Sequence, residues 1–342
     1  FPYTTLFRSM KRFSFIFGLF LVSVCRLIGG ASAFQNPLTD AKPKPTPQVN
    51  LPLATLRRDF KSGFPIPSGE KLEYEVRYSR FPLYATVGVV TFEFLGPAKF
   101  DAAVTNGTTA PVVDGLHVEF NPAPEDQFLR LRASAISKGL LIAIVGYDVK
   151  DRFETLVNAH DFSARLSFKE IKEGKKHQTL AALFNLPEKS VKFTAKDLTN
   201  QQTALKEKSA DREDGMLDLL SAFYFVRMQK MKEGQLIRFP VNDDGDNYWF
   251  DIVVGKREKL KTDCGQIKTI KIEPKLLGPG QLISRPGQMI MWMTDDSLHI
   301  PVKLEAKTSS GTVKAKLLNL KNKCKLMDDE DEKKGGQQPP KK

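Results

Sequence analysis

Over long stretches of this chain apolar and polar side chains alternate with a period of two, the pattern of strands that bury one face. Leu72, Tyr74, Val76 and Tyr78 alternate with Glu73, Glu75 and Arg77. Phe162, Ala164, Leu166 and Phe168 alternate with Ser163, Arg165, Ser167 and Lys169. Val302, Leu304 and Ala306, then Val313, Ala315 and Leu317, flank Ser309-Ser310-Gly311 and predict a hairpin. Asn106-Gly107, Asp114-Gly115, Glu173-Gly174, Asp244-Gly245 and Cys264-Gly265 punctuate comparable runs, so about ten to twelve strands are expected.

Helical spacing stands out in one place. From 214 to 231, Met216, Leu220, Phe223 and Met231 recur at helical intervals, with Leu217 and Tyr224 beside them and Asp214 as the expected cap. A shorter turn or a buried strand is expected at 140–145. The fold class is therefore mainly β: a large antiparallel curved sheet or barrel-like meander with one main helix and no internal repeat. So many one-sided strands and so few helices leave an apolar interior that side chains or a ligand must fill.

The ends of the chain differ from this middle. Residues 1–9 precede the first methionine and read as a non-native leader. Met10 opens a secretory signal over 10–33, with Lys11 and Arg12, an apolar run at 13–25, and Ala31-Ser32-Ala33 as the cleavage site. That run is too short for a bilayer-spanning helix, which needs about 20 residues. Lipidation at Cys25 and an uncleaved anchor are the alternatives. Residues 34–68 carry repeated prolines and read as a linker, 69–320 as a single β-rich domain, and 321–342 as a disordered charged tail.

Charge narrows the partners. The formal net charge is +12, and losing the four basic residues of 1–33 leaves +8. On an exported protein of the periplasm or cell envelope this excess suits anionic lipid headgroups and polymers rather than nucleic acid. Lys268, Lys271, Lys303, Lys307, Lys314 and Lys316 fall on the polar sides of the C-terminal strands and would form a lysine-rich outer face, either an anionic-surface contact or an ordinary solvated one. Outside the leader only Cys264 and Cys324 remain, and export permits a disulfide between them.

Candidate chemistry is sparse. His117, His160, His177 and His299 lie far apart, and no metal or cofactor is assigned. Asp243, Asp244 and Asp246 around Gly245 lack the spacing of a calcium loop and read as a polar turn. Nucleophile elbows, phosphate loops and dinucleotide fingerprints do not occur. Asp151-Arg152-Phe153-Glu154 is the densest charged group beside an aromatic, and reads as a salt-bridged strand end before it reads as acid–base machinery. Arg227 falls on the buried face of the expected helix and needs a partner, with Asp151 and Glu154 as candidates. Met289-Ile290-Met291-Trp292-Met293 is a continuous apolar run, a strand buried on both sides or an adaptable lipid pocket. The ligand-site candidates are thus Asp151, Arg152, Glu154, Tyr224, Arg227 and Trp292.

At these residues a resemblance emerges. Asp151-Arg152-Phe153-Glu154, Ser221-Ala222-Phe223-Tyr224 with Arg227, Pro240 with Asp243 or Asp244 and Gly245, Ile272-Glu273-Pro274, and Trp292 followed by Asp295-Asp296 and Ile300-Pro301-Val302 with Gly311 together resemble a bacterial exported family, domain-of-unknown-function family 3108. The resemblance runs from about residue 69 to 318, and residues 97–126 look longer than its pattern. It implies an exported β-rich domain and supplies no catalytic residue. Three functions are expected in order: a non-enzymatic envelope protein holding a lipid or other apolar ligand in its curved sheet, a structural or interaction module with a packed interior, and an enzyme acting on cell-wall polymer.

Overall fold

The computed structural model describes residues 51–61, 63–98, 116, 118, 120, 122–123, 125–139, 148–199, 205–277, 289–308 and 311–318. Fourteen strands form one antiparallel sheet. The first eight are β1 (Glu70–Arg80), β2 (Leu83–Pro97), β3 (Phe128–Ser137), β4 (Lys150–Asn158), β5 (Ala164–Glu173), β6 (Lys176–Asn185), β7 (Ser190–Asp197) and β8 (Lys206–Asp211). After the helix α1 (Leu219–Arg227) come β9 (Leu236–Asp243), β10 (Asp246–Thr262), β11 (Gly265–Leu277), β12 (Met289–Thr294), β13 (Pro301–Thr308) and β14 (Gly311–Leu317). The order β8-β7-β6-β5-β4-β3-β2-β1-β14-β13-β12-β11-β10-β9 is two meanders joined where the first strand pairs with the last, Val76 opposite Ala315. Its two edges, β8 and β9, are consecutive in the chain, and α1 lies between them.

The sheet curves without closing through its ladder. Its inner face carries the expected alternation on β1, where Leu72, Tyr74, Val76 and Tyr78 are all buried, and on β13 and β14. The edges approach through side chains and loops instead. Leu217, just before α1, forms a parallel bridge with Val241 of β9. Asn247 donates to the Asp211 carbonyl of β8 at 2.7 Å, and Lys208 pairs with Asp246 at 2.8 Å. The turn at Asp244 and Gly245 has positive φ at both residues, as a tight hairpin of this kind requires. A Cβ on Gly245 would stand 2.9 Å from Phe193 and 3.0 Å from Lys208, so only glycine lets the turn press against β7 and β8.

Helix α1 packs inside the shell against β2, β3, β4 and β9. Its N-cap is Asp218, not Asp214: the Asp218 carboxylate accepts from the Ser221 N–H at 2.8 Å, and the Ser221 hydroxyl answers the Asp218 N–H at 2.9 Å. The helix expected over 214–231 is shorter at both ends. Gly215 has a positive φ, Leu217 is held by β9, and the chain leaves the helix at Met228. Leu220, Tyr224, Phe225, Val226 and Arg227 are all buried. Their rings continue those of the sheet: Phe223 stacks on Phe92 at 4.1 Å, Tyr224 meets Phe94 edge-on at 5.6 Å, and Phe225 meets Phe239 at 5.3 Å.

Two expectations are corrected here. The linker expected over 34–68 is part of the domain in its described portion. Phe60 and Ile66 are buried, Leu53 bridges Leu236 of β9, and Arg58 lies over the Phe225 ring at 4.6 Å. On β5 the expected single buried face divides at a register shift, Phe162 and Ala164 lying in the interior. Leu166 and Phe168 face outward, into a second apolar cluster with Leu156, Phe128, Leu116 and Phe120, while Lys169 and Ile171 face the interior. Leu116 and Phe120 belong to the stretch between β2 and β3, so its described residues give that outer face a cover, and a strand covered on both sides loses its period-two signal. The expected turn at 140–145 lies outside the described residues, as do Asn106-Gly107 and Asp114-Gly115.

Candidate functional site

A buried ion pair joins α1 to the start of β1. Arg227, in the last turn of α1, meets Glu70, the first residue of β1, in a two-pronged pair: Nη1 donates to Oε2 at 2.6 Å and Nη2 to Oε1 at 2.9 Å. Their side chains are 0% and 1% exposed. Nε and Nη2 also reach the Leu298 carbonyl at 3.3 Å. Burial works against the guanidinium charge, and the Glu70 carboxylate overrides it, so the Arg227 pKa is raised. The expected partners Asp151 and Glu154 are thereby corrected to Glu70. Strand alternation held the signal, because Glu70 has the same parity as Leu72 and Tyr74 and must share their inward face.

Two tyrosines line the pair. The Tyr74 hydroxyl donates to the Pro301 carbonyl at 2.7 Å. Tyr224, fully buried, has a hydroxyl without a hydrogen-bond partner among the described residues. Burial raises both phenol pKa values, with Arg227 opposing and Glu70 adding. Below the pair, the His299 ring meets the Arg227 carbonyl at 2.8 Å through Nδ1. A carbonyl only accepts, so Nδ1 carries the proton there. Burial lowers the His299 pKa, although the Arg227 carbonyl and Asp296 pull the other way.

A second polar cluster spans the gap between the sheet edges. Lys169 of β5 points inward and bonds Asp243 and, at 2.9 Å, Asp244. Burial would lower the Lys169 pKa, but the two carboxylates raise it. Nearby on β4, the Thr155 hydroxyl donates to Asp218 at 2.6 Å, tying the helix cap to the sheet. The acidic turn is thus a polar turn with a buried ammonium in it. Sequence reasoning missed Lys169, Thr155 and Asp218. For Lys169 the alternation on β5 pointed the wrong way.

The candidate residues from the sequence fall into three places. Tyr224 and Arg227 are inside the shell. Asp151, Arg152 and Glu154 are on β4, where Glu154 accepts from Arg130 Nε at 2.8 Å and Arg132 Nε at 3.0 Å and lies 3.2 Å from Arg152. Asp151 accepts the Lys172 N–H at 2.9 Å. This is the salt-bridged strand reading of the group. Trp292, on the outer side of β12, donates to Glu258 at 2.6 Å and lies under Lys303, whose ammonium is 4.2 Å from the ring. Lys271, Trp292, Lys303 and Lys316 follow one another across four strands, so the lysine-rich face exists, but Glu258, Glu305 and Asp263 pair with Lys271, Lys303, Lys314 and Lys316. Cys264 is disulfide-bonded, and its expected partner Cys324 lies outside the described residues.

Fold and interior together define an unclosed antiparallel β shell with one helix packed inside it. The chain belongs to the family described as "Protein of unknown function (DUF3108)", whose profile matches residues 100–318. That match begins after β2, although β1 and β2 occupy the middle of the sheet and supply Glu70. Among solved structures the chain is similar to a beta-barrel-like protein of domain of unknown function DUF1849 from Brucella abortus, with 13% identity and a TM-score of 0.40 over 72% of this chain and 95% of that one. It is also similar to a Bacteroides fragilis protein described as exported, with a YmcC-like fold, at 6% identity and a TM-score of 0.26 over 76% of this chain and 98% of that one. No curated protein matches it.

Proposed function

We propose that this protein is a non-enzymatic module of the bacterial envelope whose β shell is filled by its own helix and which acts through its outer surface. One observation carries the reading: α1 and its Glu70–Arg227 pair sit inside the shell with the pair's side chains at most 1% exposed. The interior ligand expected from the strand pattern competes for that space with Tyr224, Phe225 and the aromatic rings around them. Of the charged groups that could have done acid–base work, Glu154 is paired with Arg130, Arg132 and Arg152, and Asp151 accepts the Lys172 N–H. Export is supported by the leader at 10–33. Native mass spectrometry of the full chain, purified from its own envelope under lipid-preserving conditions, tests this. The expected result is the mass of the protein alone, and a retained stoichiometric lipid or other apolar molecule overturns it.

A further inference from the structure

We propose that one end of the shell docks on a bilayer surface bearing anionic headgroups, with the β1–β2 turn as the inserting tip. Strand directions define this end: β1 and β3 end there, and β2 begins there. Two strongly exposed aromatic side chains lie at this end, Phe81 at 85% and Tyr84 at 69%. Phe81 is in the turn itself and Tyr84 is the second residue of β2. Ile136, opposite Val89 in the β2–β3 ladder, adds an exposed aliphatic side chain farther along the same strands. Exposed aromatics gathered at one end suit the headgroup level of a membrane, where an apolar ring and a polar edge are both satisfied.

Charge selects the partner. Arg77 and Arg80 are exposed on β1 beside the tip, and Lys138 follows β3, where its N–H bonds the Val87 carbonyl at 3.0 Å. Arg80 and Lys138 make no ion pair among the described residues. Arg77 and Lys314, which face each other across the β1–β14 ladder, are each beside an acid, Glu75 at 2.6 Å and Glu305 at 3.5 Å, so the positive charge at the tip is that of Arg80 and Lys138. An apolar protein partner would leave these cations unpaired, whereas phosphate headgroups pair with them while the rings enter the acyl boundary. The proposal deepens the surface-acting reading above and rests on it.

The test uses the full chain with phosphatidylcholine vesicles, with and without phosphatidylglycerol. In Phe81→Trp the added indole reports on the tip alone once the signal of the wild-type chain is subtracted. Its emission should shift to the blue and be quenched by brominated acyl chains only when phosphatidylglycerol is present. Phe81→Ser with Tyr84→Ser should weaken vesicle binding about tenfold or more, and Arg80→Glu should cost roughly fivefold or more. An unshifted, unquenched indole on vesicles that do bind the protein overturns the proposal, as does equal binding by the Phe81→Ser/Tyr84→Ser chain. A lipid retained in native mass spectra of that double variant lies elsewhere than at the tip and speaks against the filled shell instead, so the two failures are distinguishable.

Discussion

The Glu70–Arg227 pair allows the sharpest prediction. Glu70→Gln leaves the guanidinium fully buried, keeps the shape of the partner and removes its charge. Two charge-assisted hydrogen bonds at 2.6 and 2.9 Å are replaced by, at best, one ordinary bond to the amide oxygen, while the contacts to the Leu298 carbonyl at 3.3 Å persist. Removing one partner of a buried pair costs about 3–5 kcal/mol. In a domain of this size that is a fall in Tm of roughly 6–20 °C, at about 2–4 °C per kcal/mol. We therefore predict that the urea midpoint of Glu70→Gln drops while the slope m is unchanged. The double variant Glu70→Leu with Arg227→Met should recover most of the loss, because two well-packed apolar side chains replace the ions at little or no net cost. A Glu70→Gln chain destabilised by less than about 1 kcal/mol would place the pair in contact with water, and the helix would then not be the filler of the shell.

Two further predictions probe the same interior. Tyr224→Phe removes a buried hydroxyl without a partner, so stability should stay the same or rise by up to about 1 kcal/mol; chemical denaturation showing a loss larger than that would mean the hydroxyl is bonded. The lowered His299 pKa means the unfolded chain binds the extra proton first, so its contribution is intact above the unfolded value near 6.5 and is lost as pH falls toward the folded value. His299→Asn keeps a donor for the Arg227 carbonyl and tolerates the positive φ at that position; its stability relative to wild type should rise as pH falls from about 7 to 5, and parallel pH profiles would contradict the burial of the ring.

How much was legible in the sequence depends on how many faces each element buries. β1 and the β13–β14 hairpin have one face in water, and their alternation gave strand, register and inward set together. β5 changes face at a register shift and is covered outside by Leu116 and Phe120, so Leu166 and Phe168 are apolar on the outer side and Lys169 was hidden on the inner one. The helix was legible as an element, but its start was not, because Asp218 competes with Asp214 and only the bridge from Leu217 to Val241 decides between them. Arg227 was recognised as an inward charge, yet its partner lies 157 positions away, a distance that no local spacing reveals. The fourteenth strand and the β1–β14 pairing belong to the same class of long-range facts.

That pairing also explains why the filler is a helix from this point of the chain. Once the first strand pairs with the last, the two open edges of the sheet must be the strands before and after the middle of the domain, β8 and β9. The segment joining them has to cross the gap that the unclosed ladder leaves. A connection lying over the outside would need a polar face, but Leu219-Leu220-Ser221-Ala222-Phe223-Tyr224-Phe225-Val226 is apolar nearly all round, and a helix of that kind is stable only when surrounded. Passing inside satisfies its side chains and supplies apolar surface that the facing strands β2, β3, β4 and β9 bury. The same passage carries Arg227 inward with the helix, where it needs an acid from a facing strand. Glu70 opens β1, one of the two strands that stitch the meanders together, so the ion pair fastens the filler to the join in the middle of the sheet rather than to either free edge.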